Sequence, residues 1–254
     1  MLGDPGVFHG LIVGWSALAV GAFVLLFFVS APYGRHSRKG WGATVSPRVG
    51  WIIMEALSPL LFGLCFVLGG RTDSLVAWVF LLLWELHYAQ RSFLYPFLLP
   101  GPGKPFPLIL VVLGFLFNLM NGYAVGYYLF LSGAAYPAEW LVSPRFLCGA
   151  ALFLLGFGIN LHSDAVLRRL KREGGGAYQI PRGGMFRFIS CPNYFGETLE
   201  WIGFAVLTWS PPGLAFAFFT FCNLAPRAVT NHRWYRETFP DYPAGRKAFI
   251  PFLW

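Results

Sequence analysis

The sequence predicts an all-α, polytopic membrane protein with seven transmembrane helices. Three observations predict it. Of the 254 residues, 56% are hydrophobic and only 12% charged, against about 25% charged in ordinary soluble domains. Seven segments are apolar over a length near the roughly 20 residues that a bilayer core asks of a helix. The Lys and Arg residues collect in alternate connections, as the positive-inside rule requires. A span in lipid has to be helical, because every backbone N–H and C=O needs a partner within the segment. The length fits one domain, residues 1–254, with no appended soluble module.

The first segment, 7–30, is long and apolar, with no basic n-region and no cleavage site. It reads as a retained span rather than a signal peptide. A basic connection follows, with Arg35, Arg38, Lys39 and Arg48. The spans at 51–70 and 74–97 carry Glu55 and the run W-E-L-H-Y-A-Q-R, with Glu85, His87, Tyr88 and Arg91. The next, 106–131, has no charge but places Asn118 and Asn121 on one face. The fifth is 145–168. The sixth and seventh, 194–209 and 212–230, are split by the turn residues Ser210, Pro211, Pro212 and Gly213. Of the 19 Lys and Arg residues, all but Arg71 and Arg145 fall in or near the three connections and the tail that seven spans leave on one side. That side is expected to be cytosolic, with the C-terminus there and the N-terminus outside. The membrane is expected to be the endoplasmic reticulum in a eukaryote or the inner membrane in a bacterium.

The polar chemistry concentrates between Asn160 and Trp201. As a helix, Asn160, Asp164, Arg168 and Lys171 fall near one stripe, since residues three and four apart share a face. Glycines follow at 174–176 and at 183–184. After Pro192, a second helix puts Asn193, Glu197 and Glu200 on one face. Two polar stripes joined by a basic, glycine-rich loop suit a large anionic ligand, held by Arg, Lys, Asn and helix-end N–H groups. No G-x-G-x-x-G after a strand and no G-x-x-x-x-G-K-[ST] occurs, so neither a Rossmann unit nor a P-loop is present. H-E-x-x-H and G-x-S-x-G are also absent. The four cysteines form no C-x-x-C, so no disulfide framework and no metal site is expected. No nucleic-acid partner is expected, and the chain is expected to be a monomer in the lipid bilayer.

An ionisable group at membrane depth costs about 2.5–3.5 kcal/mol on insertion scales, so each needs a reason. Glu55 reads as functional, with a purely packing role as the alternative. For Asn118 and Asn121, interhelical hydrogen bonding explains them as well as a site does. His87 and His162 read as structural hydrogen-bonders, Arg91 as a snorkelling side chain, and Arg35, Arg38 and Lys39 as topology signals. On physics alone the chain is a membrane enzyme or binder with a cytosolic-side polar cavity and an apolar substrate.

Several motifs then resemble one family. They are G-I-N-L-H-S-D at 158–164, Y-Q-I-P-R-G-G at 178–184, N-Y-F-G-E-T-L-E-W-I-G-F at 193–204 and D-Y-P-A-G-R-K-A-F-I-P-F at 241–252. Upstream, H-Y-A-Q-R-S-F-L-Y at 87–95, G-K-P-F-P at 103–107 and N-G-Y-A-V-G-Y-Y at 121–128 extend them. Together they resemble the steroid 5α-reductases over nearly the whole chain after about residue 50. The resemblance implies seven helices enclosing a cavity for cofactor and steroid. It implies NADPH-dependent reduction of the carbon 4–carbon 5 double bond of a 3-oxo-Δ4 steroid.

Carried over residue by residue, Glu55 and Tyr88 match the catalytic pair that hydrogen-bonds the steroid 3-keto oxygen. Asn160, Asp164, Lys171, Tyr178, Asn193, Glu197, Arg227, His232 and Tyr235 match positions at the cofactor, with Lys104 and Asn121 grouped beside them. The chain departs from the family's type 2 pattern at Leu113, Lys171 and Gln179, each in place of an arginine, and at Asn231 in place of a histidine. Lys171 keeps the charge but loses a bidentate grip on phosphate. Two alternatives stay open: a membrane methyltransferase akin to the isoprenylcysteine carboxyl methyltransferases, and a non-catalytic sterol binder.

Overall fold

The computed structural model describes residues 5–99 and 104–254. Gly103 of the G-K-P-F-P motif lies outside them. The described chain is mostly helical. In order it runs α1 (Pro5–Phe28), a short strand β1 (Thr44–Val45), α2 (Pro47–Glu55), α3 (Leu57–Leu68) and α4 (Leu75–Tyr88). A π-helical turn, Ala89–Leu94, leads into α5 (Tyr95–Leu98). Then come β2 (Phe106–Pro107), α6 (Leu108–Gly126) with a π-helical end Tyr127–Ser132, α7 (Pro144–Glu173), α8 (Pro192–Thr208) and α9 (Pro211–Thr238). The strands β1 and β2 pair antiparallel with Thr44 opposite Pro107.

Among the described residues, four stretches are long and apolar enough to cross a membrane: Pro5–Phe28, Pro47–Leu68, Leu108–Ser132 and Pro144–Glu173. The other three expected spans coincide with helices that fall short of that measure, for visible reasons. The α4 stretch carries Glu85, His87, Gln90 and Arg91 in and after its last turns. α8 has only 17 residues. α9 carries Asn223, Pro226 and Arg227 along its apolar part.

The chain divides into two compact units, Pro32–Leu147 and the combination of Met1–Ala31 with Cys148–Trp254. In the first, Ser46 caps α2 by accepting from the Val49 N–H at 3.3 Å, with Pro47 at the first helical position. α2 stops at Glu55. Pro59 explains the stop, because it has no N–H for the Glu55 carbonyl four residues earlier. The polypeptide resumes as α3 after one residue. α6 packs on α3 through Gly122 and Gly126. A Cβ on Gly122 would stand 2.8 Å from the Ser58 carbonyl oxygen, and one on Gly126 would stand 2.9 Å from Cys65 Cβ. Small residues four apart let helices approach this closely where lipid supplies no hydrophobic drive. Phe62 of α3 stacks on Trp84 of α4 at 4.4 Å between centroids.

A related device builds the second unit. Gly149 and Gly156 of α7 face Gly203 and Gly196 of α8, so the two helices run antiparallel. A Cβ on Gly156 would lie 2.3 Å from the Glu200 nitrogen and 2.5 Å from the Gly196 oxygen. One on Gly203 would lie 2.3 Å from the Phe153 nitrogen. α9 joins α8 through Trp201 and Phe216, with ring centroids 4.3 Å apart. α1 lies along α9 through Trp15–Phe219 and Phe23–Phe221. The outer residues of α1, including Val13, Leu18, Val20, Val24 and Leu25, are exposed. Exposed aliphatic side chains over a whole helix suit contact with lipid rather than water.

Candidate active site

Glu55 is the last residue of α2 and Tyr88 the last of α4. Their two helices bring them to one residue of α6. The Tyr88 hydroxyl donates to Asn118 Oδ1 at 3.2 Å, and Asn118 Nδ2 donates to Glu55 Oε2 at 3.3 Å. The same Nδ2 faces the backbone oxygens of Met54 at 2.8 Å and Gly114 at 3.2 Å. These acceptors fix which end of the amide faces Glu55 and which faces Tyr88. Tyr88 and Asn118 are buried, while Glu55 is half-buried. The Tyr88 ring is held by Trp84 and His87, at 5.2 and 5.0 Å.

The chain beyond Tyr88 is anchored by a compensation at Pro96. In the π-helical turn the Arg91 carbonyl falls opposite Pro96, which has no N–H, and the Trp51 indole N–H takes that carbonyl at 3.0 Å. The Arg91 guanidinium lies over the Trp51 and Tyr95 rings rather than extending freely. Asn121, one turn after Asn118, is buried, and its Nδ2 has no hydrogen-bond partner among the described residues. Lys104 is exposed beside β2.

In the second unit the expected polar stripes form on α7 and α8. Asn160 and Asp164 are 2% and 3% exposed, on a helix whose other faces are largely apolar. Asn160 Nδ2 donates to the Asn193 carbonyl at 3.0 Å and to Glu197 Oε2 at 3.4 Å. Asn193 Nδ2 donates to Asp164 Oδ1 at 3.2 Å. Glu200 continues the α8 face and is fully buried. Lys171 sits near the end of α7, which Gly175 and Gly176 terminate with positive φ, the Gly176 N–H donating to the Lys171 carbonyl. Gly184, with φ +49°, passes His162 so closely that a Cβ there would meet the imidazole at 2.5 Å.

α9 and the tail supply the rest. Arg227 Nη2 donates to the Tyr194 hydroxyl at 3.3 Å, with the guanidinium over that ring. Tyr178 packs edge-on to Trp234. Tyr235 is buried and stacks on Tyr242 at 5.2 Å. His232 Nδ1 meets Ser190 Oγ at 2.6 Å, and Ser190 Oγ meets the Tyr242 hydroxyl at 2.6 Å. The Ser190 N–H to Lys247 carbonyl bond and the Lys247 N–H to Phe188 carbonyl bond, both 2.9 Å, dock the tail here.

Residue-by-residue reading missed Ser190, Tyr242 and Arg246 as partners of the matched positions, although all three lie in or beside quoted motifs. Arg246 is 5% exposed, lies over Tyr242, and its Nε and Nη1 have no hydrogen-bond partner among the described residues. Lys104 and Asn121 belong to the first unit, and the other nine matched cofactor positions to the second.

His232 lies beyond residue 230, past the expected seventh span. Burial, and then the nearby Arg236, Arg246 and Lys247, hold its pKa below the ordinary histidine value. The folded protein therefore binds fewer protons than the unfolded chain once the pH is below about 6.5, where a free histidine charges. Stability is expected to be fully present above that pH and to fall as the pH drops through the lower folded value. Thermal melting from pH 8 to pH 5 tests this. His232→Gln should flatten the acid side of the curve, and an unchanged acid side would show that His232 contributes nothing to it.

The sequence has relatives among known proteins. The family model described as 3-oxo-5-alpha-steroid 4-dehydrogenase matches residues 104–254. The chain is 47% identical over 243 residues to 3-oxo-5-alpha-steroid 4-dehydrogenase 1 of Bos taurus, covering 93% of each. It is 40% identical over 258 residues to steroid 5-alpha-reductase DET2 of Gossypium hirsutum, covering 100% of each. The chain belongs to the steroid 5α-reductase family. A type 2 member, from Sus scrofa, is 43% identical over 240 residues, covering 92% of each chain. The family and the apolar helices together make this an integral membrane oxidoreductase of steroid metabolism.

Among the described residues no group of three or more His, Cys, Asp and Glu side chains gathers as a metal site would. Leu113, where the type 2 pattern has arginine, lies exposed on α6.

Proposed function

We propose that this protein reduces the carbon 4–carbon 5 double bond of 3-oxo-Δ4 steroids, of the testosterone and progesterone kind, to 5α-reduced 3-oxo steroids with NADPH. The observation that carries the reading is the hydrogen-bonded group Glu55–Asn118–Tyr88, set at two helix ends in a member of this family. Reduction of an enone places negative charge on the ketone oxygen. A donor placed at that oxygen stabilises the charge as it develops. The Tyr88 hydroxyl is that donor and the Glu55 carboxyl supports it. A hydroxyl has one proton, so Tyr88 turns its O–H from Asn118 to the ketone by rotation about the Cζ–Oη bond, with the ring held in place. The half-buried surroundings strengthen this interaction relative to bulk water.

NADPH would supply the hydride to carbon 5, and a proton from solvent would complete carbon 4. The residues fit such a cofactor. In the unit that holds nine of the matched positions, Arg246 Nε and Nη1 are buried donors without partners among the described residues. Each unmet donor costs about 1–3 kcal/mol, and an acceptor-rich anion relieves that cost. Asn160, Asp164, Lys171, Tyr178, Asn193, Glu197, Arg227, His232 and Tyr235 would hold it, with Lys104 and Asn121. In this reading residues 1–254 form one reductase domain with seven spans. The N-terminal helices bind steroid and residues from about 145 onward bind most of the cofactor. The N-terminus is outside, the C-terminus is cytosolic, and the protein acts as a monomer.

The test is purified protein with NADPH and a panel of enone steroids, read as loss of NADPH absorbance and as product stereochemistry at carbon 5. Protein-dependent formation of 5α products is expected. Steroid binding without NADPH consumption, or methyl transfer from S-adenosylmethionine, would overturn the reading.

A further inference from the structure

We infer that Asn118 is a positioning residue of the reaction, bonding the Glu55 carboxyl and keeping the Tyr88 hydroxyl in place until the ketone takes the phenol proton. The inference rests on the proposed roles of Glu55 and Tyr88 and assigns a third residue to their work. Interhelical stapling alone does not account for the arrangement. To hold α6 against α2, the bond from Asn118 Nδ2 to the Met54 carbonyl is sufficient. Asn118 also reaches both reacting groups, and it does so with matched polarity. Its donor end faces the carboxylate oxygen and its acceptor end faces the phenol proton. An amide is well suited to this, since it carries a donor and an acceptor on one planar group.

The backbone makes the amide orientation unambiguous. The Met54 and Gly114 carbonyls can only accept, so the end facing them must be Nδ2. Oδ1 is thereby committed to Tyr88. The amide is itself held tightly. Asn118 is 2% exposed, and Gly114, one turn before it, leaves room for Met54, whose side chain a Cβ on Gly114 would meet at 2.1 Å. Gly122, one turn after it, lets α6 settle onto Ser58. The two titratable groups that the hydrogen bonds bring to Asn118 are Glu55 of α2 and Tyr88 of α4. With the amide in place, Glu55 stays bonded to Nδ2, and Tyr88 is held against Oδ1 up to the moment its single proton turns to the ketone. Without it, each head has freedom that the apolar body of the steroid cannot correct.

The prediction is a split between turnover and binding. Asn118→Leu should lower kcat at least 10-fold while KM stays within about 3-fold, because small misplacements at the reacting centre cost rate more than affinity. A double-mutant cycle separates positioning from structure. In the Tyr88→Phe background Asn118→Leu should change the residual kcat by less than 3-fold, since there is no hydroxyl left to position. The infrared C=O band of a bound saturated 3-ketosteroid should move toward its free-ketone frequency in Asn118→Leu. Asn118→Asp, nearly isosteric but lacking the amide donors, should show the same kcat loss and covers the case in which Leu prevents folding. Losses that multiply in the double variant, an unmoved ketone band, or kcat and KM falling together with the melting temperature would overturn the inference. If Tyr88→Phe and Glu55→Gln themselves keep normal turnover, the reading of the reaction fails. If they lose turnover while Asn118→Leu and Asn118→Asp do not, only the role of Asn118 fails.

Discussion

Tyr88→Phe is expected to lower kcat by about 100- to 1,000-fold, the usual cost of removing one donor from a developing oxyanion, with the fold intact. The ring is retained by its contacts with Trp84 and His87, so packing changes little. The loss is one hydroxyl, together with the proton that Asn118 Oδ1 now receives. That leaves one buried acceptor unmet, a cost of about 1–3 kcal/mol. The melting temperature should therefore fall modestly while turnover falls far. Glu55→Gln should lower turnover strongly too, because it removes the carboxyl that supports the phenol in this reading. Steady-state kinetics with NADPH and a 3-oxo-Δ4 steroid measures both. Near-normal turnover in the two variants would remove the pair from the reaction.

The second large effect concerns the support of the polar stripe. Gly156→Val is expected to separate α7 from α8 and abolish cofactor binding. A Cβ at Gly156 would stand 2.3 Å from the Glu200 nitrogen, 2.5 Å from the Gly196 oxygen and 2.8 Å from the Glu200 Cα. All three are backbone atoms, so no side-chain rotation relieves the clash. Overpacking ordinarily costs about 1–3 kcal/mol, and more where the backbone must move. Asn160 lies one turn further along α7, and its bonds to Asn193 and Glu197 span the same contact. Even Gly156→Ala should lower the melting temperature and weaken NADPH binding measurably. Gly158→Ala is the control, since nothing lies within 4 Å of a Cβ there. That substitution should be neutral or stabilising, because alanine favours a helix by about 1 kcal/mol over glycine. Equal melting of Gly156→Ala and Gly158→Ala would contradict the close contact.

Much of this was legible in the sequence. The stripe of Asn160 and Asp164 needs only the spacing of three and four residues, and α7 carries it as one uninterrupted helix. Pro192 and the Ser210–Gly213 turn mark where α8 begins and where α9 takes over, and both helices start there. Of the three expected spans that fall short, α8 is too brief at 17 residues, while the α4 stretch and α9 carry polar residues, near Arg91 and Arg227, in place of apolar ones. Arg91 was legible only in part, since its guanidinium rests on Trp51 and Tyr95 from other helices.

By itself the sequence determined the helical membrane class, the polar stripe and, through family motifs, the two residues proposed to meet the ketone. Each depends on local spacing or on composition, which survive without knowledge of the fold. Only the tertiary structure decided that Asn118 joins Glu55 to Tyr88, and that Ser190, Tyr242 and Arg246 gather about His232. The hydrogen bonds among them join residues 30 to 63 positions apart. They exist because glycines let helix backbones approach closely and because Pro59 ends α2 at the carboxylate, and no periodicity along one helix encodes which helix will lie beside it.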